Sequence, residues 1–338
     1  MYSNQLLKLF ERGSRFLETK YPIMGGAMTW VSERKLVSAI SNAGGFGIIA
    51  AGSMSSEQLR NEIIETKKKT NKPFGVNLIL LHPDIDKLIE CCISQKVKLV
   101  VFAGGFPKKT QIKKLKDNFI KTMCFATTNV IAKKMVSNGI DGLILEGNEA
   151  GGHIGPVSIN VLVQEILPQV NSVPVFVAGG IGRGELLLKF IELGAAGCQI
   201  GTRLVCSEES VAHEKFKNIF IKSEARNSKI SIRLDERLPV IPVRAIENNA
   251  TQMFLEEQKR VITLLDNKKI SLSEAQLQIE HFWAGSLKNA VIHGDIENGS
   301  LMAGQSVSLV KKKQKVSEIL DELVSQASEQ LKLDKSKN

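Results

Sequence analysis

The chain has 338 residues, 43% of them hydrophobic and 5% aromatic, with a formal charge of +10 and a pI near 9.3. That length holds one large domain or a barrel with an appended one, and the scarcity of aromatic side chains argues against a lectin-like or base-stacking surface. The basic balance favours an acidic partner, but no basic-aromatic nucleic-acid module, secretory h-region or apolar run of membrane-spanning length appears, so neither nucleic acid binding nor stable membrane anchoring is expected.

The first stretch, NQLLKLFERGSRFLE, is an amphipathic helix predicted to plug the base of the domain. From Tyr21 a rhythm begins. Short apolar runs at 21–26, 46–52, 73–80, 98–105, 119–126, 141–147, 173–180 and 196–202 alternate with helical stretches such as SERKLVSAISNAG and GRGELLLKFIELG. Several of these helices end in Gly, as helix C-caps do. Eight strand–helix units fit an α/β (β/α)8 TIM barrel better than a doubly wound sheet. The runs are apolar on both faces, as buried parallel strands require. Glycine or a polar residue follows nearly every run, and a barrel gathers those positions at one mouth.

After Cys206 the rhythm breaks into long helical patterns, FLEEQKRVITLLDN and SEAQLQIEHFWAGSLKNAVI. The predicted organisation is a barrel over 1–206 and a smaller, mainly helical second domain covering the substrate over 207–298. C-terminal helices return to the barrel over 299–330, and a disordered tail occupies 331–338. Five cysteines (Cys91, Cys92, Cys124, Cys198 and Cys206) show neither CxxC spacing nor a disulfide framework. They indicate a reducing compartment, and the cytoplasm is the expected location.

The chemistry-bearing motifs fall after the strands. VPVFVAGGIGRGE puts Gly179 and Gly180 after the seventh strand, and AGCQIGTRL puts Gly201 and Thr202 after the eighth. Those two loops make the usual phosphate site of a barrel, where backbone N–H groups bind and glycine permits close approach. GGFGIIAAG mimics a dinucleotide fingerprint at Gly45, Gly47 and Ala50, but helix precedes strand there, the reverse of what the fingerprint needs. YPIMGGAM brings Gly26, Ala27 and Met28 to the mouth, small enough for a flat ring to lie against backbone. Asn77, in GVNL, either meets the polar edge of such a ring or ties two loops together. EGNEAGGHIG follows the sixth strand. Its His153 is either a turn residue bonded to backbone or a group that handles a proton at the mouth. Glu146 and Glu149 are candidates for orienting groups or hydroxyl acceptors. The other histidines (His82, His213, His281 and His293) lack metal-ligand spacing, so no metal is expected.

Together PIMGGAMTWVSERKLVSAISNAGGFGIIAAG, KPFGVNLIL, EGNEAGGHIG, VPVFVAGGIGRGE and QIGTRLVCSEES resemble the flavin-dependent group that contains nitronate monooxygenases and FMN-dependent enoyl-acyl-carrier-protein reductases. The reductase branch matches better: Ile154 stands where the monooxygenases tend to have Arg, and AGSLKNAVIHGDIENGSLMAGQ resembles that branch too. The resemblance implies FMN, with its phosphate on Gly179, Gly180, Gly201 and Thr202 and its ring against Gly26, Ala27, Met28 and Asn77. It implies that Glu146 belongs to the cofactor site and that His153 is the essential histidine. It further implies NADH or NADPH as co-substrate, an enoyl-acyl carrier protein as partner and substrate in fatty acid synthesis, and a homodimer. One departure stands out: Gly25-Gly26-Ala27-Met28 replaces the Gln-Gly-Gly-Met common in the reductases. Two alternatives remain at this stage, a nitronate monooxygenase using FMN and O2, and a non-catalytic phosphate-ligand sensor.

Overall fold

Short runs that are apolar on both faces need cover on two sides, and the chain provides it by closing them into a ring. The computed structural model describes residues 4–238 and 242–336. Its ring is built from β1 (Ile23–Gly25), β2 (Gly47–Ala50), β3 (Phe74–Ile79), β4 (Leu99–Ala103), β5 (Lys121–Ala126) and β6 (Gly142–Glu146). After the two-residue β7 (Gly152–His153) it is completed by β8 (Val175–Ala178) and β9 (Gly197–Ile200). All the ring pairings are parallel, in the order β1-β9-β8-β6-β5-β4-β3-β2. A parallel bridge between Met24 and Phe46 joins the two ends. The fold is the expected (β/α)8 barrel.

Polarity changes along the barrel axis. Phe46, Leu99, Met123 and Phe176 fill the interior with apolar side chains. Leu17, at the end of the helix Asn4–Leu17, joins that cluster from below, and the Phe16 ring lies 6.1 Å from Phe176. Glycine at position 13 lets this helix approach closely, because a Cβ there would sit 1.9 Å from the Ala196 carbonyl oxygen. The opposite end carries polar side chains and is the mouth.

Only one helical turn, Thr202–Val205, follows β9. The eighth outer helix comes instead from the end of the chain: Val316–Ser336 packs against the helices Gly184–Glu192 and Arg34–Asn42. It runs through Ser336, past the predicted start of an unstructured tail. Leu331 is buried and Lys189 pairs with Asp334 at 2.6 Å, so the last turns have both apolar and charged partners. The span before it, predicted helical from 299, holds a short strand and a 3-10 turn (Gln305–Leu309).

Between β9 and that helix lie the helices Asn249–Asp266 and Leu272–His293, with a core in which Phe254 stacks 4.3 Å from Trp283. The long helical patterns are therefore present. They are accompanied by an antiparallel sheet of β10 (Ser228–Ile230), β11 (Val243–Ile246) and β12 (Leu301–Met302), and β7 pairs with β11. Strands of two to four residues are too short for alternation to reveal them. Among the described residues no helix is long and apolar enough to cross a membrane.

The crossing of the last helix depends on Gly184, where a Cβ would lie 1.8 Å from the Leu323 carbonyl oxygen. Gly184→Ala should therefore lower thermal stability by about 1–3 kcal/mol through overpacking, although alanine is the better helix former. Thermal melting checks this; an unchanged or raised Tm would contradict so close a crossing.

Candidate active site

The mouth is assembled from the loops that follow the strands. In the first, the Ser32 hydroxyl accepts from the Met28 N–H at 3.0 Å and donates to the Gly26 carbonyl at 2.8 Å, fixing Gly26-Ala27-Met28 as a turn. Gly26 is itself tied to β9 through its N–H and the Ile200 carbonyl, 2.8 Å. Trp30 closes the loop in a left-handed conformation, φ 67°, which a bulky residue adopts only where its surroundings impose it. Its indole N–H donates to the Ala284 carbonyl at 3.2 Å, and the Lys288 ammonium lies 5.0 Å from its ring centre.

Gly179 and Gly180 follow β8 with φ of 100° and 71°. A Cβ on Gly179 would sit 3.1 Å from the Gly147 carbonyl oxygen, so glycine is needed for both conformation and space. Gly201 faces Met28, whose Sδ would be 3.4 Å from an added Cβ. Among the described residues the Gly180 and Thr202 N–H groups have no intrachain acceptor. Thr202 Oγ1 accepts from the Gly304 N–H at 3.1 Å, and its own hydroxyl hydrogen remains available. Four of the predicted phosphate-site residues thus lie on the two neighbouring strand ends β8 and β9.

Three polar side chains face the barrel interior at this end. Asn77 is buried and donates from Nδ2 to the Val101 carbonyl at 3.2 Å, so it ties β3 to β4. Its Oδ1 accepts nothing from the described residues. Gln199 pairs across β9 with Met24 and Ala178, both inward-facing, and is buried without an intrachain hydrogen bond among the described residues. Glu146 ends β6 beside Ala178, with no charged partner among the described residues. Burial pushes its carboxyl up to about 8, so it is neutral near pH 7 and donates as well as accepts. Glu149 turns away: its carboxylate accepts the Ile159 N–H at 3.1 Å and caps the helix Ile159–Ile166, which removes it as an orienting group.

His153 stands at this mouth too, but in a setting the sequence does not disclose. It pairs with Val243 of β11, and the neighbouring Ile154 N–H donates to the Pro242 carbonyl at 2.9 Å. Its Nε2 lies 3.1 Å from Glu280 Oε2 on the helix Leu272–His293. Of the other histidines, His82 and His213 each accept a nearby backbone N–H at Nδ1. All five cysteines are buried and unpaired, and burial pushes the Cys124 and Cys206 thiols up to about 12. No cluster of metal-ligating side chains occurs among the described residues.

Sequence reasoning also missed Arg203. It is 5% exposed, donates to the Gly182 carbonyl at 2.9 Å, and pairs with Glu322 at 2.9 Å. It thereby pins the loop after β8 to the C-terminal helix. Gly304 was likewise unassigned. The signal lay in GSLMAGQ, a glycine-bearing stretch after a helix end, but its partner loops are more than a hundred residues away. A surface depression of about 260 Å3 lined by Lys68, Lys69 and Lys72 lies where strands begin, the end of a barrel that does not carry chemistry.

Comparison with known proteins agrees with this fold. The nitronate monooxygenase family model matches residues 11–326. FabK from Thermotoga maritima superposes with a TM-score of 0.86 at 35% identity, covering 97% of this chain and 99% of that one. A probable nitronate monooxygenase of Staphylococcus saprophyticus is 30% identical over 85% of this chain and 94% of its own length. An octahydro-1H-indene-4-carboxyl-CoA dehydrogenase of Rhodococcus jostii is 34% identical over 216 residues, and the match spans 61% of that protein's length. A nitroalkane oxidase of Streptomyces ansochromogenes, at 22% identity and a TM-score of 0.78, shares the fold.

Two outcomes follow from the site. Glu146 keeps its proton in the folded protein up to about pH 8, whereas the unfolded chain loses it near 4.5. Its contribution to stability therefore declines as pH rises from about 4.5 to about 8 and levels off above. Glu146→Gln should gain Tm relative to wild type between pH 5.5 and 8.5 in flavin-free protein; parallel Tm curves would contradict the assignment. Arg203→Met should cost about 2 kcal/mol, below the 3–5 of a fully buried pair because Glu322 is 37% exposed. Denaturant unfolding reads this, and no loss would show that the pair does not hold the loop.

Proposed function

The chain belongs to the nitronate monooxygenase family, and on that premise we propose that it is an FMN-dependent enoyl-acyl-carrier-protein reductase using NADH or NADPH. The observation that carries this reading is the likeness to FabK at 35% identity over almost the whole of both chains. Ile154 adds to it: the residue is buried, 3% exposed, and stands where the monooxygenases tend to have Arg. The Rhodococcus relative, named for an acyl-coenzyme A, supports a thioester as the substrate class.

The residues present suit a flavin mononucleotide. Gly179, Gly180 and Gly201 leave a cradle that Cβ atoms would fill, and the Gly180 and Thr202 amides have no other acceptor. Amides of that kind bind a phosphate monoester. Gly26, Ala27 and Met28 offer backbone to a ring, and Asn77, Gln199 and Glu146 offer donors and acceptors that the chain itself leaves unused.

The chemistry FMN supplies when bound is hydride transfer from a nicotinamide to the β-carbon of a trans-2-enoyl thioester. The protein's part is to bind, orient and protonate. His153 is the proton-handling side chain at the mouth: Nε2 is turned to Glu280, and Nδ1 has no hydrogen bond among the described residues. It takes up a proton at Nδ1 and passes it to the α-carbon or the thioester carbonyl as a general acid, while Nε2–H stays with Glu280. The helix Leu272–His293 and the small antiparallel sheet lie over the mouth, through Glu280 and Ala284 on the helix and through β11 beside His153. An acidic acyl carrier protein suits a chain of net charge +10.

A second reading, oxidation of a nitronate by O2, is favoured by the Staphylococcus relative. Anaerobic mixing with NADH separates the two. The reductase reading expects rapid bleaching of the flavin band and reoxidation by crotonyl thioester; bleaching that is slow, with turnover of nitronate in air, would overturn it. His153→Ala should keep its flavin and lose turnover by about 10²–10⁴-fold. Unchanged turnover would remove His153 from the chemistry.

A further inference from the structure

We infer that Glu280 is the positioning residue for His153, and that the two form a carboxylate–imidazole pair linking the helix Leu272–His293 to the barrel mouth. The pair is direct: Nε2 to Oε2 is 3.1 Å, with Glu280 24% exposed and His153 39% exposed at the side chain. A carboxylate oxygen accepts, so the imidazole donates from Nε2 and is held in the tautomer that leaves Nδ1 as the acceptor. The carboxylate of a catalytic triad does the same work by fixing imidazole orientation and tautomer.

Three further observations give the pair a role beyond a surface ion pair. The backbone of His153 is already fixed, because β7 pairs with β11 and the Ile154 N–H is bonded to Pro242. Only the ring remains to be set, and Glu280 contacts it. Glu280 is also registered to the barrel: the Trp30 indole donates to Ala284, one turn further along the same helix, from the loop that begins at Gly26. The face of the mouth that offers backbone to a ring thus sets the height of the residue that holds the histidine. Finally, Glu280 Oε1 is buried and has no hydrogen-bond partner among the described residues, and a buried acceptor is costly to leave unpaired, so this oxygen can accept from a bound substrate.

The catalytic part of this inference rests on the reductase reading; the pair itself does not. The test uses the FMN-loaded full chain, wild type and Glu280→Ala, at one neutral pH. Nitrogen-15 shifts of the imidazole, assigned among five histidines by the signals missing from His153→Ala, report which ring nitrogen carries the proton. Wild type should show it on Nε2, and Glu280→Ala should move proton density off that atom. In the same variant kcat for crotonyl thioester should fall about 10–100-fold, as when an outer-shell partner of a working histidine is lost, with KM within about twofold and flavin content unchanged. If Glu280→Ala does not fold, Glu280→Met, which keeps the side-chain length without an oxygen to accept from Nε2–H, carries both readouts. Ring shifts that match wild type, or an unchanged kcat in an active enzyme, would overturn the inference. Ring shifts that move while wild type shows no enoyl turnover would sink the reductase reading and leave the pair standing.

Discussion

The mouth of this barrel depends on one close approach of backbone to backbone, Gly151 against Gly304. A Cβ on Gly151 would sit 2.5 Å from the Gly304 nitrogen, and one on Gly304 would sit 2.8 Å from the Glu149 carbonyl oxygen. No other residue type fits either position without moving main chain. Around that contact the Gly304 N–H binds Thr202 and the Gln305 N–H binds the Glu149 carbonyl. Three stretches far apart in sequence, after β6, after β9 and after β12, are thereby locked into one surface. The loop that carries His153 is consequently as much a strand of the small antiparallel sheet as a loop of the barrel.

A second constraint is the division of the barrel interior. The lower part is filled by aromatic and aliphatic side chains and closed by the N-terminal helix. Stability comes from there, where burial is complete and side chains interdigitate. The upper part carries Asn77, Gln199 and Glu146, polar groups whose hydrogen-bonding capacity the chain only partly uses. A folded protein tolerates such groups where a ligand completes them. Stability and chemistry are thus placed at opposite ends of one ring of strands. The pair between buried Arg203 and half-exposed Glu322 carries the support outward to the C-terminal helix.

The legible part of the fold was the part written locally. Each barrel strand is an apolar run bracketed by glycine or polar residues, so the eight strands and the residues at their ends read directly from the sequence. The C-terminal helix read as helix, but its role as the eighth outer helix did not, because packing partners are not written in a run's own periodicity. The two-residue strands β7 and β12 left no pattern at all. Among site residues, those next to a strand end were found by position. Gln199 escaped because a polar residue in a short strand signals neither face by itself. Arg203, Glu280 and Gly304 escaped because each acts through a partner about a hundred residues or more away. Glu149 drew attention for its place beside His153, yet its carboxylate is spent on a helix end.

The account stands on the glycine-lined ends of β8 and β9 being the seat of a flavin phosphate, with the His153 imidazole on the same face. A crystal structure of the protein grown with FMN tests that most directly. Phosphate density against the Gly180 and Thr202 amides, with His153 overlooking the flavin ring, is the predicted result. Phosphate bound elsewhere, or a His153 ring directed away from the ring system, would contradict it.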